Sequence, residues 1–537
     1  MTQPVSVDGT SPDNPLDIAI VGGGVSGLFT GWRLVTCPKG KSVKLDHMTN
    51  RHGGPLRVAL FEMSRRLGGR LLTLAPPGMP SFVVELGGMR YMSTQQLVAR
   101  LVEKDLGLEY EGFLINDRNI AYPRIWEANR VNGATANGAT VAECSSQENL
   151  LLGAIERIIG QRVSKLIPEE RLQIQQENAW GGRALYDWGF LNLLNRVMSP
   201  ADYSLVAGPS GLANQTGNWN AADAIFSLLG WMDPVAKHRR PVKGMQEIPH
   251  RLAQLFSGHG GMVLPNRELI GCTMDPTGTV KLIFKTQPSH TGHPPIELPP
   301  VYARHVVLAM PRRALERIIE QRATDVLAEP AVRRLIASVT PVPAFHLACC
   351  YHEPWWERAG EDGAGQRVVA GVPVRQALYL GTEEKSDRES TDRNSLVLLT
   401  NDEQTINYWI GLLRQDGRVE DPYKGGDWDD YQASEMMIDE AHLLLRKIHQ
   451  IDPGDTYPGV PYAAVMRDWS ADPYGGQCNI WKIHERSWRV SADIVQPAPD
   501  KPVYICGESY SHQQGWVEGA LNRAEHLVRG MFGVPER

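Results

Sequence analysis

Three glycines near the start of the chain, Gly22, Gly24 and Gly27, have the spacing GxGxxG. They follow the apolar run Leu16–Val21, which is typical of a buried strand, and they open a helix-compatible segment. The first glycine permits a tight turn, the second lets the backbone approach a pyrophosphate, and the third lets helix and strand pack closely. The N–H groups at the helix start, that of Ser26 included, then face the phosphates. In this context the motif predicts a dinucleotide site, although alone it also fits an ordinary glycine-rich turn.

An acidic residue ends the second predicted strand, Arg57–Glu62. A carboxylate at this place accepts hydrogen bonds from ribose hydroxyls. In such sites the acid usually follows the glycines by about 20 residues, whereas Glu62 lies 40 residues after Gly22. We predict that the polar stretch Cys37–Pro55, which contains glycine and proline, is a surface loop that accounts for the excess.

The segment from Glu62 to Arg70, EMSRRLGGR, indicates which dinucleotide, FAD or NAD, the site binds. It resembles the ExxxRxGGR signature of the flavin amine oxidase family, which includes monoamine oxidases, polyamine oxidases and L-amino-acid oxidases. The resemblance implies FAD as the cofactor. It also implies that Glu62, Arg66, Gly69 and Arg70 surround the ribose, pyrophosphate and ribityl chain.

Later segments resemble the same family in the same order, so that the resemblance runs from residue 16 to residue 530. It implies adenine contact at one strand, FAD hydroxyl contact at a Gly-Glu strand end, and a helix start directed at the flavin. The electropositive start of that helix would stabilise the negative charge of reduced flavin. The residues concerned are Leu269, Ile270, Gly507, Glu508, Gly515, Trp516 and Val517. Cys478 is offset by one residue from the cysteine that carries FAD in monoamine oxidases, so we expect non-covalent FAD.

The segment Gly87, Gly88, Met89 and Arg90 distinguishes among members of the family. It resembles the Gly-x-Met-Arg segment of L-amino-acid oxidases, which contacts FAD and whose arginine binds the substrate α-carboxylate. A guanidinium group fits a carboxylate with two parallel hydrogen bonds and so fixes the substrate orientation. We therefore predict that Arg90 is the carboxylate clamp; the alternative is an ordinary salt-bridge arginine.

Three further residues are candidates for the substrate site. Tyr379, on a predicted strand, has the placement of a family tyrosine that contacts the carboxylate, although a core tyrosine fits equally well. Trp516 adjoins the flavin-binding turn and could form an apolar wall, as could Trp469 and Trp481, which core roles fit slightly better. His346 stands near the place of a family lysine that holds a water, and could position that water and transfer protons, although most strand histidines are structural.

These residues together predict an oxidase that converts L-amino acids and O₂ to 2-oxo acids, ammonia and hydrogen peroxide. We expect a broad substrate range that includes large apolar and aromatic side chains. A basic side chain would need an acid in the pocket, for which Asp187, Glu383, Glu384 and Glu518 are available. Three other functions remain open: an amino-acid 2-monooxygenase that yields an amide and CO₂, a polyamine or monoamine oxidase, and a non-catalytic flavin-binding protein.

To position these residues, the family resemblance implies an α/β fold (α+β overall) in which a Rossmann-like FAD-binding domain carries a mixed-sheet substrate domain and a helical insertion. The FAD-binding domain is assembled from three segments, 16–84, 236–335 and 466–537. Residues 85–111 and 336–465 form the substrate domain. Residues 112–235 form a largely helical lobe, and residues 1–15 are expected to be a disordered lead.

Composition excludes several classes of protein. With 537 residues, a net charge of −6 and a pI near 6.2, the chain lacks the charge of a nucleic-acid or anionic-membrane binder. It begins without a signal-peptide pattern and contains no run of about 18 apolar residues, which predicts a cytoplasmic protein. Seven scattered cysteines without CxxC spacing predict neither disulfides nor a metal site. A homodimer or higher homo-oligomer is the default expectation.

Overall fold

The structure of the protein is a computed structural model. It describes Val7 and residues 9–113, 120–121, 141–166, 168–207, 218–233, 235–286, 294–321, 324–357, 366–383, 393–402, 405–415, 423–449, 451–452 and 454–537. Residues 1–6 and 8 of the expected disordered lead, and Glu384, therefore lie outside the described residues. No helix in those ranges is both long enough and apolar enough to cross a membrane.

The strands, in chain order, are β1 Leu16–Val21, β2 Val58–Phe61, β3 Thr73–Leu74, β4 Val84–Glu85, β5 Tyr91–Met92, β6 Tyr110–Gly112, β7 Ile120–Ala121, β8 Ala179–Trp180, β9 Arg183–Ala184, β10 His238–Pro241, β11 Met262–Leu264, β12 Glu268–Met274, β13 Val280–Thr286, β14 Ile296–Glu297, β15 Val301–Ala309, β16 Val339–Val342, β17 Ala344–Tyr351, β18 Gln366–Val372, β19 Val374–Thr382, β20 Ser395–Asp402, β21 Ala463–Asp468, β22 Cys478–Trp481 and β23 Val503–Cys506.

The helices are α1 Val25–Val35, α2 Val43–His52, α3 Gln96–Arg100, α4 Val141–Ile159, α5 Pro168–Glu177, α6 Phe190–Val197, α7 Pro200–Ala207, α8 Ala221–Trp231, α9 Glu247–Gly258, α10 Arg312–Gln321, α11 Pro330–Ile336, α12 Ile406–Gln415, α13 Glu435–Ile448, α14 Ser487–Asp493 and α15 Val517–Phe532.

The larger sheet is the predicted nucleotide-binding sheet, with the order β11-β2-β1-β15-β13-β12, β23 beside β15 and β14 beside β13. Strands β11, β2, β1, β15 and β23 run parallel, so their carboxyl ends lie at one edge. Side chains of β1 alternate between two buried cores: Ile18 and Ile20 face the core formed with α1, α9 and α15, and Ala19 and Val21 face the other. Burial on both faces explains why this strand reads as a continuous apolar run.

The second sheet has the order β21-β17-β20-β19-β18-β7, and its two faces pack in different cores. Odd-numbered residues along β17, and along β19 from Ala377 onward, pack beneath helices α12 and α13, as Phe345 and Tyr379 do. Even-numbered residues, such as Ala348 and Leu378, face the opposite side. This alternation decides which side chains of the sheet can reach the site described below.

Helices α4 to α8 lie in the range predicted as a helical lobe and enclose a core of their own. The expected loop Cys37–Pro55 needs correction, because its second half is helix α2. Ser42 caps the helix by accepting from the N–H of Leu45, and Gly53 ends it in the left-handed region at φ 66°. Only Leu45 and Met48 of this helix are buried, which is why the polar composition concealed it.

Candidate active site

A cleft crosses the carboxyl edge of the parallel strands and contains the glycine turn. Gly22 and Gly24 line it together with Ser26 of α1. An added Cβ at Gly22 would lie 2.3 Å from the Ala309 carbonyl oxygen, and one at Gly27 would lie 2.0 Å from that of Gly22. Gly27 is thus a packing residue behind the turn, while Gly22, Gly24 and Ser26 form the wall. The first turn of α1 carries no acid and no side-chain cap, so its N–H groups are suited to an anion.

Glu62 follows β2 and lines the same cleft. Its Oε2 accepts from the N–H of Gly23 at 2.6 Å, and its Oε1 accepts from the N–H and hydroxyl of Ser64 at 2.9 and 2.8 Å. These bonds hold the carboxylate beside the glycine turn despite the insertion upstream. A carboxylate has about four acceptor positions, so it can still accept from ribose hydroxyls.

The two arginines of the EMSRRLGGR segment have different roles. Arg70 lines the cleft, donates to the Gln477 carbonyl at 3.1 Å and forms an ion pair with Glu508 at 2.9 Å. Arg66 does not line it: its guanidinium group donates to the carbonyls of Gly69 and Leu71, the latter at 2.9 Å. The donors of Arg66 thus hold the shape of the glycine loop, and its contact with FAD stays a prediction.

The C-terminal motif closes the other end of the cleft. Gly507 and Glu508 follow β23, and Glu508 Oε1 accepts from the N–H of Gly515 at 2.7 Å. Gly515, at φ +82°, turns the chain into Trp516 and the start of α15 at Val517, which also lines the cleft. The positive end of a sixteen-residue helix therefore meets the cleft, as the resemblance implied.

At the opposite end of the cleft, one of the two residues selected on β12 lies in the lining. Leu269 lines the cleft, whereas Ile270 is not among the lining residues because successive strand residues point to opposite sides. The sequence analysis missed three polar residues here, Arg267, Glu268 and Arg317. Arg317 donates to Glu268 at 2.8 Å, a long-range pair without a local sequence signal.

A second cavity, here named the chamber, opens from the cleft. Arg70, Gly88, Gln477, Gly515 and Trp516 line both spaces, so the two are continuous. The cleft encloses about 1270 Å³ and the chamber about 1430 Å³ of free space, with open solvent included. Other residues that line the chamber include Gly87, Met89, Arg90, Trp219, Trp231, His346, Arg375, Gln376, Leu378, Thr400, Asn401, Trp469, Asn479 and Gln514.

Arg90 reaches the chamber from the segment between β4 and β5. Gly87 permits this course, because an added Cβ would lie 2.2 Å from the Arg70 carbonyl oxygen. The N–H of Gly88 donates to that same carbonyl at 3.1 Å. The guanidinium group of Arg90 stacks over the Phe113 ring with 5.5 Å between its carbon and the ring centroid. The structure thus brings Arg90 and the cleft-lining Arg70 into one continuous space.

His346 lies in β17 on the chamber face of the sheet and is 4% exposed. Its Nδ1 is 3.0 Å from the Leu86 carbonyl oxygen, which can only accept, so Nδ1 carries the hydrogen and Nε2 keeps a lone pair. Burial lowers the pKa of the imidazole to about 4. His346 is therefore neutral at neutral pH and can accept a hydrogen bond at Nε2.

Tyr379 is not brought to the chamber, and its predicted role is corrected. It is fully buried on the other face of the second sheet, where its hydroxyl hydrogen-bonds to His449 Nε2 and its ring packs 4.9 Å from that of Trp356. Its neighbours Gln376 and Leu378 line the chamber instead. The strand itself does line the chamber, but the prediction selected a residue one position away from those that face it. A shift of one position places a strand side chain on the opposite face of the sheet.

The tryptophans divide between wall and core. Trp516 and Trp469 line the chamber, and Trp469 Nε1 donates to the Leu86 carbonyl that also accepts from His346. Trp481 is buried away from it and donates to the Ser511 carbonyl at 3.1 Å. Trp219 and Trp231, which sequence reasoning did not select, reach the chamber from the helical lobe.

Known proteins and one protein family are similar to this chain in sequence. The sequence matches the family model of the flavin containing amine oxidoreductases over residues 25–529. It is 25% identical to Aplysianin-A of Aplysia kurodai over 98% of this chain and 92% of that protein. It is 22% identical to Achacin of Lissachatina fulica over 98% and 94%. A flavin-dependent L-tryptophan oxidase, RebO, of Lentzea aerocolonigenes is 24% identical over only 45% of this chain and 44% of its own.

Solved structures share the fold at lower identity. Putrescine oxidase bound to putrescine superposes with a TM-score of 0.63 at 16% identity, covering 97% of this chain and 99% of that one. Cyclohexylamine oxidase from Brevibacterium oxydans IH-35A superposes with a TM-score of 0.60 at 15% identity, covering 97% and 99%. The cleft and chamber therefore lie in an amine oxidase fold.

Proposed function

The chain belongs to the flavin-containing amine oxidoreductase family, and on that premise we propose that it is an FAD-dependent oxidase of L-amino acids. The reaction consumes one amino acid, O₂ and water, and yields a 2-oxo acid, ammonia and hydrogen peroxide. One observation carries this proposal above the alternatives. The chamber that joins the flavin cleft contains Arg90, and none of its described lining residues is Asp or Glu.

The residues of the cleft fit FAD. Gly22 and Gly24 leave backbone exposed where the start of α1 meets an anion, Glu62 stands where ribose hydroxyls need an acceptor, and α15 begins beside Gly515. When bound, FAD supplies the two-electron oxidation chemistry that no protein side chain provides. The part of the protein is to orient the amino acid, exclude water and stabilise charge.

Arg90 would hold the α-carboxylate and so place Cα toward the cleft. A bidentate guanidinium–carboxylate pair fixes both position and rotation, and such orientation contributes strongly to rate. A positively charged clamp is of no use to a polyamine or monoamine, whose ammonium groups need acidic partners. The same lack of described acids disfavours basic amino acids.

Three of the four acids available for a basic side chain have partners elsewhere, and the fourth, Glu384, lies outside the described residues. Glu518 accepts from the N–H groups of Leu97 and Val98, and Glu383 accepts from the N–H of Ser81. Asp187 pairs with His484 at 3.0 Å, outside the chamber. Their occupation elsewhere supports a substrate without a cationic side chain.

His346 would hold a water molecule by accepting its hydrogen at Nε2. Since the imidazole is neutral, it does not repel the positive charge that develops on the substrate nitrogen as Cα is oxidised. It also cannot donate a proton from Nε2, so its role is positioning and acceptance rather than general acid catalysis.

A substrate panel on the FAD-loaded protein tests the proposal. L-amino acids should consume O₂ and produce peroxide and 2-oxo acid, whereas D-enantiomers, putrescine and cyclohexylamine should not. Mass spectrometry of the product separates the oxidase from the 2-monooxygenase, because only the latter forms an amide one carbon shorter. Oxidation of amines but not of L-amino acids would refute the proposal, and so would the absence of flavin reduction by any of these compounds.

A further inference from the structure

Three residues that carry hydrogen-bond donors line the chamber and are here together named the donor wall. Arg375 and Asn401 come from the neighbouring strands β19 and β20, and Trp219 comes from the helical lobe. None of the three lines the nucleotide cleft. They therefore belong to the part of the lining that the chamber does not share with the cleft.

Two of these donors are buried and lack an acceptor. Asn401 and Trp219 are 3% and 2% exposed. Asn401 Oδ1 accepts from the N–H of Arg375 at 3.3 Å, which sets the orientation of the amide and leaves Nδ2 as the remaining donor. Among the described residues, neither Asn401 Nδ2 nor Trp219 Nε1 has a hydrogen-bond partner. Each buried donor without an acceptor costs free energy, which a ligand with acceptors at this wall would recover.

An acceptor without a donor lies where the cleft and the chamber meet. Gln514 adjoins Gly515, where cleft and chamber meet, and its Nε2 donates to the Ser509 carbonyl at 2.6 Å. Its Oε1 is buried and has no donor within the described part of the chain. The chamber thus presents an acceptor near the flavin, suited to an amino group, and donors on the wall of Arg375.

We propose that this wall, formed by Arg375, Asn401 and Trp219, selects L-amino acids with a carboxylate side chain, with L-glutamate and L-aspartate as the substrate class. The inference rests on the proposed oxidase function and deepens it. A carboxylate only accepts hydrogen bonds, so it matches a wall of donors. An amide would bring N–H groups of its own, an ammonium would meet Arg375, and an apolar end would leave the donors unsatisfied.

This substrate class departs from the large apolar range expected from the tryptophan content. The tryptophans do line the chamber, but Trp219 adds an N–H group to the polar wall. Specificity of this kind arises because a site built for hydrogen bonding rejects analogues that lack the matching group.

Steady-state kinetics of the FAD-loaded enzyme on L-glutamate, L-aspartate, L-glutamine, L-leucine and L-lysine provide the test. We expect the highest kcat/KM for an acidic substrate and the lowest for L-lysine. Arg375→Met should lower kcat/KM for L-glutamate by about 30-fold or more, as loss of one partner of a buried charge pair does. The same variant should leave L-leucine within a few-fold. Trp219→Phe, which keeps a ring but removes the N–H, should produce a smaller loss in the same direction.

Two control variants and an anaerobic titration distinguish the possible outcomes. Arg251→Met, an exposed helix arginine bonded to Gln254, should leave every ratio unchanged. Arg90→Met should instead depress all L-amino acids alike. A preference for L-leucine or L-lysine in the wild type, or an equal loss for L-glutamate and L-leucine in Arg375→Met, overturns the inference while the oxidase function stands. If no L-amino acid reduces the flavin in anaerobic titration, the proposed function itself fails.

Discussion

In the nucleotide cleft a glycine turn of fixed backbone geometry forms one wall, whereas the chamber is lined by side chains from distant segments. The cleft depends on Gly22 and Gly27, where the structure has no space for a Cβ atom. The chamber combines Arg90, His346 and Trp219 from separate sheets and the helical lobe. A local sequence motif specifies the backbone geometry of the cleft. Which side chains line the chamber depends instead on which face of each strand points inward. The two regions should therefore respond differently to substitution.

The largest effect is expected at the glycine turn. Gly27→Ala would place a Cβ 2.0 Å from the Gly22 carbonyl oxygen, so the turn must shift, at a cost of about 3 kcal/mol. We expect purified protein with little bound flavin, measured as the ratio of visible to ultraviolet absorbance. Gly530→Ala is the matched control, because this glycine of α15 has open space around it. Full flavin content in Gly27→Ala would show that the cleft is not backbone-defined.

The next effect concerns the clamp. Arg90→Met should keep its flavin but lose about 100-fold in kcat/KM for every L-amino acid, mostly through KM, because the substrate carboxylate loses its charged partner. Arg240→Met is a matched control, since its guanidinium group also stacks on Phe113 at 5.5 Å but does not line the chamber. Unchanged KM values in Arg90→Met would remove Arg90 from the substrate site.

The next effect concerns how the stability of the protein changes at acid pH, because the chamber contains a buried histidine. Burial lowers the pKa of His346 to about 4, whereas an unfolded histidine titrates near 6.5. Below pH 6.5 the unfolded state therefore binds more protons, and stability falls as the pH drops from 6.5 toward 4. For this one group the loss at pH 5 is about 2 kcal/mol. His346→Gln should flatten the decline of the melting temperature between pH 7 and 5, while the exposed His47→Gln should not. Parallel declines in wild type and His346→Gln would contradict the buried neutral imidazole.

The smallest kinetic effect is expected at Tyr379. Tyr379→Phe removes only the hydroxyl that bonds to His449, so we expect a loss of about 1 kcal/mol in unfolding free energy and no change in KM. Leu378→Ala, one residue earlier on the chamber face, should instead change KM. A raised KM in Tyr379→Phe would reverse the assignment of faces on β19.

Much of the fold was predictable because the motifs are local. The glycine turn, the acid after β2 and the Gly-Glu strand end each combine a strand terminus with a turn, and the structure has all three at the cleft. Helix α2 escaped prediction because only two of its side chains are buried. The bonds of Arg66 to its own loop were not predictable, because a sequence does not say whether a guanidinium group faces a ligand or a carbonyl nearby.

By itself, the sequence determined the dinucleotide turn, the flavin signature and the arginine of the chamber, since each is a fixed spacing within one segment. Only the tertiary structure decided that Leu378 lines the chamber, together with Asn401 and Trp219, and that Tyr379 does not. The physical reason is the two-residue period of a strand: moving one position along β19 exchanges the chamber for the core. Which face is which depends on the helices α12 and α13 that cover one side, and these come from later in the chain.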